Sequence, residues 1–424
     1  MIVVGAGFTG LAAATELAER GIDVRVIEAR QRVGGRVETQ VNASGDRVDT
    51  GGQFFCEDMP EVTALARRLG MRFVRTPVTG AFRIQPELSE EEAEQAYAGA
   101  GEIRERMNGL EPRDPSIAGL TVAAWLDRQR DATWAKAGFH SMIEGLWCRS
   151  ISEIPLWYLV DNDRRVTNEI PELQYFLADT MQSLAEALAA PLGDRLVLGA
   201  SVSRIERESE AAVSVLTTIG RFGADRVIVA VPPVSAAKIA FDPPLPARLG
   251  EALAVWKSGL VIKVHLRYAQ AFWRAAGLSG MVIWRDPHGL FCCDTSRDDR
   301  HPALTVFIGG PLVLEWRDLA EDVFRAKLCA HLVPALGPQA AGFTAMVVRD
   351  WTDDPWSGGA YSDLIMDMNA HDAETVLREG AGPVQFASSE LSPSFPGYVE
   401  GALIAGQIAA RKIVADCDIR KVER

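Results

Sequence analysis

Hydrophobic and polar positions along this chain fall into runs whose period changes several times. Met1-Ile2-Val3-Val4 is a short apolar run that predicts a buried strand, and the glycine-rich turn after it opens a helix running to about Arg20. Asp23-Val24-Arg25-Val26-Ile27 alternates and predicts the next strand. Helical spacing follows over Pro60 to Leu69, Ser89 to Met107, Val122 to Arg130 and Ala132 to Trp147, so the middle of the chain is largely helical. From Met181 a helix through Ala190 leads into predicted strands at Arg195 to Leu198, Ser201 to Glu208, Val213 to Thr217 and Arg226 to Val231, closed by Pro232-Pro233. Further strands at Val261 to Tyr268, Met281 to Trp284, Leu290 to Cys293 and Leu304 to Ile308 suggest an antiparallel sheet that forms the floor of a chamber. A helix at Ala320 to Leu332, a strand at Val384 to Ala387 and a helix from Gly401 to Val414 complete the pattern.

This order predicts an α/β protein with a Rossmann-like nucleotide-binding domain built from residues 1–75, 181–255 and 381–424. A second domain of antiparallel sheet and helices, residues 76–180 and 256–380, is interleaved with it. With 424 residues, 48% hydrophobic and 24% charged, the chain can bury a large core. Its 44 basic and 57 acidic residues leave a net charge of −13, which argues against nucleic-acid partners and anionic membranes. No apolar window reaches the length of a membrane span, and the first five residues are too short for a signal peptide. The default expectation is a cytoplasmic enzyme, with a homodimer as the default assembly. Cys56, Cys148, Cys292, Cys293, Cys329 and Cys417 show neither disulfide nor metal-ligand spacing, so no metal is expected and the thiols should be mostly buried and inert. Cys56 stands apart because it follows a glycine-rich loop by only a few residues.

Candidate chemistry begins at Gly5-Ala6-Gly7-Phe8-Thr9-Gly10. Gly5 permits a tight bend, Gly7 lets backbone amides approach a pyrophosphate, Gly10 allows close helix packing, and the helix N-terminus favours phosphate charge. Glu28, at the end of the next strand, is placed to accept hydrogen bonds from a ribose diol. Three more backbone-exposing loops follow, each beside a cation or an amide: Glu28-Ala29-Arg30, Gly34-Gly35-Arg36 and Gly51-Gly52-Gln53. Such loops let main chain lie against a flat ring and its linker while Arg36 offsets phosphate charge, which points to FAD rather than a nicotinamide. Taken singly, each is also what an ordinary surface turn looks like.

With these motifs stand the Ala230-Val231-Pro232 strand end, Lys263 within VIKVHLRY, Trp351, the GGAYS stretch from Gly358, and FASSELSPSFPGYVEG from Phe386 to Gly401. In this order the chain resembles the flavin-containing monoamine oxidase family over nearly its whole length. The resemblance implies a glutathione-reductase-type FAD domain, a substrate domain, and oxidation of a carbon–nitrogen bond with dioxygen as electron acceptor. It implies that Val202 meets the adenine through its backbone, that Glu390 touches the ribityl or phosphate region, and that Thr9 and Val399 join the cofactor contacts. Lys263 would hold a water against the flavin, and Tyr361 and Tyr398 would form an aromatic pair that aligns a nitrogen substrate. The alternatives for these residues are a solvent-facing strand lysine and two core tyrosines.

Departures from the family pattern concern the flavin and the chamber. Ala360 stands where mammalian members carry the cysteine that bonds to the flavin, so FAD is expected to be non-covalent. Ser388 replaces a glycine, Phe395 replaces a tryptophan, and Asp179-Thr180 replaces a glycine pair, which suggests a substrate other than a simple arylethylamine. Glu57 near the flavin could serve as general acid or base, or could be an ordinary surface glutamate before Met59-Pro60. Tyr175 could add a phenol to the same chamber, or could simply pack. That combination is similar to polyketide-pathway amide oxidases in which a carbon nucleophile of the same substrate then closes a macrocycle. Three further readings remain at this stage: a generic small-amine oxidase, a flavin desaturase or porphyrinogen-type oxidase, and a flavin-bound protein without chemistry.

Overall fold

The computed structural model describes residues 1–209 and 212–422, with the side chains of Glu90 and residues 416–422 outside the description. Cys417 is therefore outside it too. The strand Ile2–Val4 sits at the centre of a five-stranded parallel sheet, with Arg25–Ile27 and Leu196–Val197 on one side and Val227–Val229 and Val384–Phe386 on the other. All three residues of Ile2–Val4, Val227–Val229 and Val384–Phe386 are buried, as expected of strands covered on both faces. The strand predicted from Asp23 shortens to Arg25–Ile27, and the helix predicted to Arg130 ends at Asp127.

The helix Phe8–Glu19 buries Leu11, Ala13, Ala14 and Leu17 against this sheet. Its run of alanines leaves room for the C-terminal helix Val399–Val422, and a Cβ at Gly406 would come within 2.2 Å of the Thr9 carbonyl. That close approach is why the last helix of the chain returns to the first. The same helix carries Glu400, which is 1% exposed and accepts from the amides of Glu61 (3.0 Å) and Val62 (2.8 Å). A carboxylate here satisfies amides that the first turn of Pro60–Arg68 otherwise leaves unpaired, and it meets the positive end of that helix.

A six-stranded mixed sheet forms the second layer system, in the order Ala345–Asp350, Val261–Arg267, Ala303–Gly309, Leu290–Asp294, Leu278–Trp284 and Ala81–Gln85. Along Val261–Arg267 the side-chain alternation separates two apolar faces. Ile262, Val264 and Leu266 join the core under the helix Glu321–Leu336, together with Trp273, Leu328 and Leu332. Val261, Lys263 and His265 take the opposite face, from which Lys263 reaches the loop at Gly51 to Gln53. The helices Glu90–Asn108, Thr133–Trp147 and Leu156–Asp163 bury Ile103, Phe139, Ile143 and Leu156 to Val160 in a large apolar core.

Candidate active site

One cavity of about 1240 Å³ joins the glycine-rich turns to the floor of the six-stranded sheet. It exceeds the roughly 300–1,000 Å³ of ordinary ligand pockets, as befits space shared by a dinucleotide and a substrate. Gly5, Gly7, Thr9, Glu28, Ala29, Arg30, Gly35, Arg36, Gly51, Gly52, Gln53, Val202 and Val399 all line it. Gly10 does not line it, because its role is packing: a Cβ there would stand 1.9 Å from the Gly5 carbonyl. A Cβ on Gly7 would meet only the Cα of Gly35, at 3.9 Å, so the space over Gly7 belongs to the cavity.

Glu28 is 5% exposed, and its carboxylate accepts from the amides of Ala6 (2.7 Å) and Arg30 (2.8 Å). These bonds pin the carboxylate beside the glycine turn, with oxygen lone pairs left for a diol. Arg30 is held by Asp354 at 2.5 Å, and Asp354 in turn accepts from Arg349 at 2.7 Å. Burial would raise the Asp354 carboxyl, but the Arg30 and Arg349 guanidiniums hold it at about 2.

Glu390 requires a correction. It is 0% exposed and does not reach the cavity: its oxygens are taken by Arg36, Ser389, Ser362 (3.2 Å) and the Asp363 amide (3.1 Å). Its link to the cavity runs through Arg36, which lines it and whose guanidinium also donates to the Tyr361 carbonyl at 3.0 Å. Asp363 lies against the same group, accepting from Ser258 Oγ (2.5 Å) and the Val234 amide (2.9 Å). Burial and the Glu390 charge push the Asp363 carboxyl up to about 7, whereas Arg36 holds Glu390 low against its own burial.

Lys263 is 3% exposed and lines the cavity, so the strand lysine is buried rather than solvated. Its ammonium donates to the Gly51 carbonyl at 2.7 Å and to Gln53 Oε1, and it lies 5.4 Å over the Phe307 ring. Burial lowers its pKa to about 8, and Asp49 pulls the other way. The lysine thus ties the sheet floor to the Gly51-Gly52-Gln53 loop. Trp351 fixes the other side of that loop, donating from Nε1 to the Thr50 carbonyl at 2.8 Å.

Tyr361 and Tyr398 both line the cavity, each backed by a second ring. Phe307 meets Tyr361 edge-on with centroids 6.2 Å apart, and Phe395 meets Tyr398 edge-on at 6.0 Å. Phe395 holds a left-handed backbone with φ of 49°, and its carbonyl lies where a Cβ on Gly401 would come within 2.1 Å. Burial, with Glu172 adding to it, raises the Tyr398 phenol well above its ordinary value, so the ring stays neutral. Ala360 also lines the cavity, with no thiol at that position. Cys148 packs beside Ala360, but it is buried and its thiol is pushed up to about 12 by burial.

Glu57 and Tyr175 are not where the sequence reading put them. Glu57 lies on the surface in an ion pair with Arg67, two turns into the following helix, and its amide accepts no cavity role but donates to Gln174 Oε1 at 2.8 Å. Tyr175 packs against Phe55 (5.9 Å) and Phe73 (5.6 Å) and does not line the cavity. The reason is strand alternation: Phe55 and Tyr175 pair through their backbones, and Phe54, one residue earlier, turns into the cavity instead. Cys56 is 0% exposed with its thiol raised by burial to about 11, so it is inert. Sequence reasoning missed Phe54, Phe307 and Glu172 as cavity residues. Phe307 was legible in principle, since it pairs directly with Lys263 across two predicted strands.

Comparison with known proteins shows the family of the chain. The family model for flavin-containing amine oxidoreductases matches residues 8–114 and 117–414, and the chain belongs to that family. It is 26% identical over 460 residues to the flavin-containing amine oxidase A of Bos taurus, covering 98% of this chain and 84% of that protein. It is 25% identical to an L-amino acid dehydrogenase of Synechocystis, covering 97% of this chain and 94% of the other. The solved structure of a putrescine oxidase bound to putrescine superimposes with a TM-score of 0.90 at 27% identity, covering 98% of each chain. The protein is accordingly an FAD-dependent amine oxidoreductase with amine oxidase architecture, and a flavin held without a covalent bond is consistent with Ala360. The residues fit the cofactor: open space over Gly7, a pinned carboxylate at Glu28, and the buried, unpartnered hydroxyl of Ser388 in the cavity wall. Among the described residues no helix is long and apolar enough to cross a membrane.

Proposed function

We propose that this protein oxidises a carbon–nitrogen bond of a substrate held between Tyr361 and Tyr398, giving an imine, with dioxygen reduced to hydrogen peroxide. FAD supplies the two-electron acceptor. The observation that carries the reading is the sharing of one cavity by the dinucleotide cradle, the two backed tyrosines and buried Lys263. The tyrosine faces offer quadrupole attraction and shape to a nitrogen-bearing group. Lys263 and Trp351 anchor the Gly51-Gly52-Gln53 loop, and with it the place where a reacting carbon would approach.

Residues 1–75, 181–255 and 381–424 are best taken as the cofactor-binding part, and 76–180 with 256–380 as the substrate part. The amide-oxidising, ring-closing form of the reading draws no support from the breadth of the cavity, because the cofactor shares that space. Glu57 and Tyr175 lend it no support, since both lie off the cavity. Glu172 is the better candidate for proton handling: it lines the cavity within electrostatic reach of Tyr398, and its carboxylate has no hydrogen bond or ion pair among the described residues.

The test is anaerobic mixing of the FAD-loaded enzyme with panels of amines, amides and polyenes, followed by readmission of oxygen and peroxide detection. Bleaching of the flavin by amines or amides, with peroxide formed on reoxygenation, is expected. Bleaching by polyenes or porphyrinogens alone would replace the reading with a carbon–carbon desaturase.

A further inference from the structure

His140, Glu144 and His288 bring one ligand atom each to within 4.8 Å of one another, and none of the three lines the large cavity. Two of them share a helix. His140 and Glu144 stand four residues apart on Thr133–Trp147, so they face the same way, and His140 Nε2 lies 3.0 Å from Glu144 Oε1. His288 comes from the turn between the strands Leu278–Trp284 and Leu290–Asp294, and its ring stacks on that of His140 with centroids 3.6 Å apart. The turn is fixed without help from the cluster: the Gly289 amide donates to Ser141 Oγ at 3.0 Å, and the Gly309 amide donates to the Gly289 carbonyl at 2.8 Å. Gly289 itself holds a φ of 79°, where a Cβ would come within 2.3 Å of the Gly309 carbonyl.

The charges of this cluster do not balance. Glu144 is 5% exposed and accepts from the Ile151 amide at 3.2 Å, and among the described residues its ion-pair partner is His140 alone. A buried carboxylate without a fixed cation is costly. Protonating His140 would supply the charge, but it would set an imidazolium flat against a second imidazole. Burial, with His140 adding to it, lowers the His288 pKa, so that ring stays neutral, and the other charged groups acting on it, Glu144 and Asp286, are both negative. With both rings neutral, the cluster offers two imidazole nitrogens and one carboxylate oxygen in a field of negative charge. Late first-row dications prefer such a set, whereas magnesium and calcium prefer oxygen alone. Zinc bonds of about 2.0–2.2 Å place tetrahedral ligand atoms about 3.4 Å apart, so the widest pair has about 1.4 Å or less to close. Both rings are half-buried, which leaves them room to rotate and leaves an approach for a solvent ion.

We propose that His140, Glu144 and His288 bind one late first-row divalent cation such as zinc, with water completing a tetrahedral shell. The cation gives Glu144 its counter-charge and fastens the helix Thr133–Trp147 to the turn at His288. Gly138, Ser141 and Gly145 of that helix line the cavity, as do Leu290 and Phe291 just after the turn, so the metal braces one wall of the chamber from outside it. The inference does not rest on the carbon–nitrogen oxidase reading, since no ligand of the metal lines the cavity. No cysteine contributes, so the lack of metal-ligand spacing among the cysteines has no bearing on the site.

The experiment uses the full FAD-loaded chain without a histidine tag, freed of metal by dialysis against a chelator, with Zn²⁺ as the probe and Mg²⁺ as the control. Binding is read by titration calorimetry near neutral pH and stability by thermal unfolding. One equivalent of Zn²⁺ should bind with a Kd below about 10 μM, and about a hundredfold excess over Kd should raise the melting temperature by about 2 °C or more, while Mg²⁺ does neither. His288→Ala and Glu144→Gln should each weaken Zn²⁺ by at least about tenfold, and His288→Cys should keep it, because a thiolate is itself a zinc ligand. A wild-type Kd weaker than about 10 μM would overturn the site and leave a helix ion pair beside a ring stack. An affinity that His288→Ala leaves unchanged, in a folded, yellow variant, would overturn it too, because the zinc would then sit elsewhere.

Discussion

Arg36→Met removes the one cation that, among the described residues, meets the buried pair Glu390 and Asp363. Glu390 is 0% and Asp363 1% exposed, so neither carboxylate can recover its charge by hydration. Arg36 makes two contacts to Glu390, one to Ser389 Oγ at 2.9 Å and one to the Tyr361 carbonyl at 3.0 Å, and all are lost together. Removing one partner of a buried ion pair costs about 3–5 kcal/mol, a large share of the roughly 5–15 kcal/mol that holds a folded domain. Glu390→Gln in the same background removes the uncompensated charge while keeping an acceptor for Ser362 and the Asp363 amide, so part of the loss should return. The assay is urea unfolding of wild type, both single variants and the double variant, stripped of FAD so that cofactor affinity does not enter. The sign with pH follows from the acids: in Arg36→Met the carboxyls are raised in the folded state, so the deficit is smallest below about pH 4 and grows as pH rises through the folded values. A loss below about 1 kcal/mol, or a double variant no better than Arg36→Met alone, would refute the reasoning.

Three other outcomes follow from the site. Gly7→Ala should leave the melting temperature of the FAD-free protein unchanged yet weaken FAD binding at least about tenfold, because its Cβ enters cavity space, whereas Gly10→Ala should destabilise the fold itself by meeting the Gly5 carbonyl; equal FAD loss with equal destabilisation in both would contradict the division of roles. Lys263→Met should keep the bound yellow colour, slow flavin turnover, and remove a step in stability: the lysine is depressed to about 8, so the wild type gains stability as pH rises from about 8 toward the ordinary lysine value and the variant does not. Parallel stability–pH curves for the two proteins would remove that assignment. Ala360→Cys should retain flavin in the acid-precipitated protein, where the wild type releases it; complete release from both would mean that position 360 does not meet the flavin ring edge.

How much of this was legible in the sequence differs between the two parts of the site. The dinucleotide cradle was readable because its chemistry is backbone chemistry: glycines at fixed offsets, a helix start and a carboxylate at a strand end are all local, and the structure places Gly5, Gly7, Glu28, Gly35 and Gly51 along one cavity. Lys263 was readable because a charge inside the apolar run VIKVHLRY must be buried with a purpose, and strand alternation puts it on the face opposite Ile262 and Val264. Glu57 and Tyr175 were misplaced because their orientation depends on a one-residue phase in the pairing of Phe55 with Tyr175, and nothing local sets that phase. The Phe386 to Gly401 stretch shows both cases: Tyr398 reaches the cavity as the resemblance implied, while Glu390 turns away to hold Arg36.

The sequence by itself therefore determined the α/β class, the cofactor and the residues whose role is carried by local backbone geometry. Tertiary structure alone decided which side chains from the helical middle and the sheet rim meet around the substrate. Thr76, Glu172 and Arg285 come from separate segments with no shared period, and only packing brings them to one cavity. Their unspent hydrogen-bonding capacity is a property of what surrounds them in three dimensions, which no pattern along the chain records.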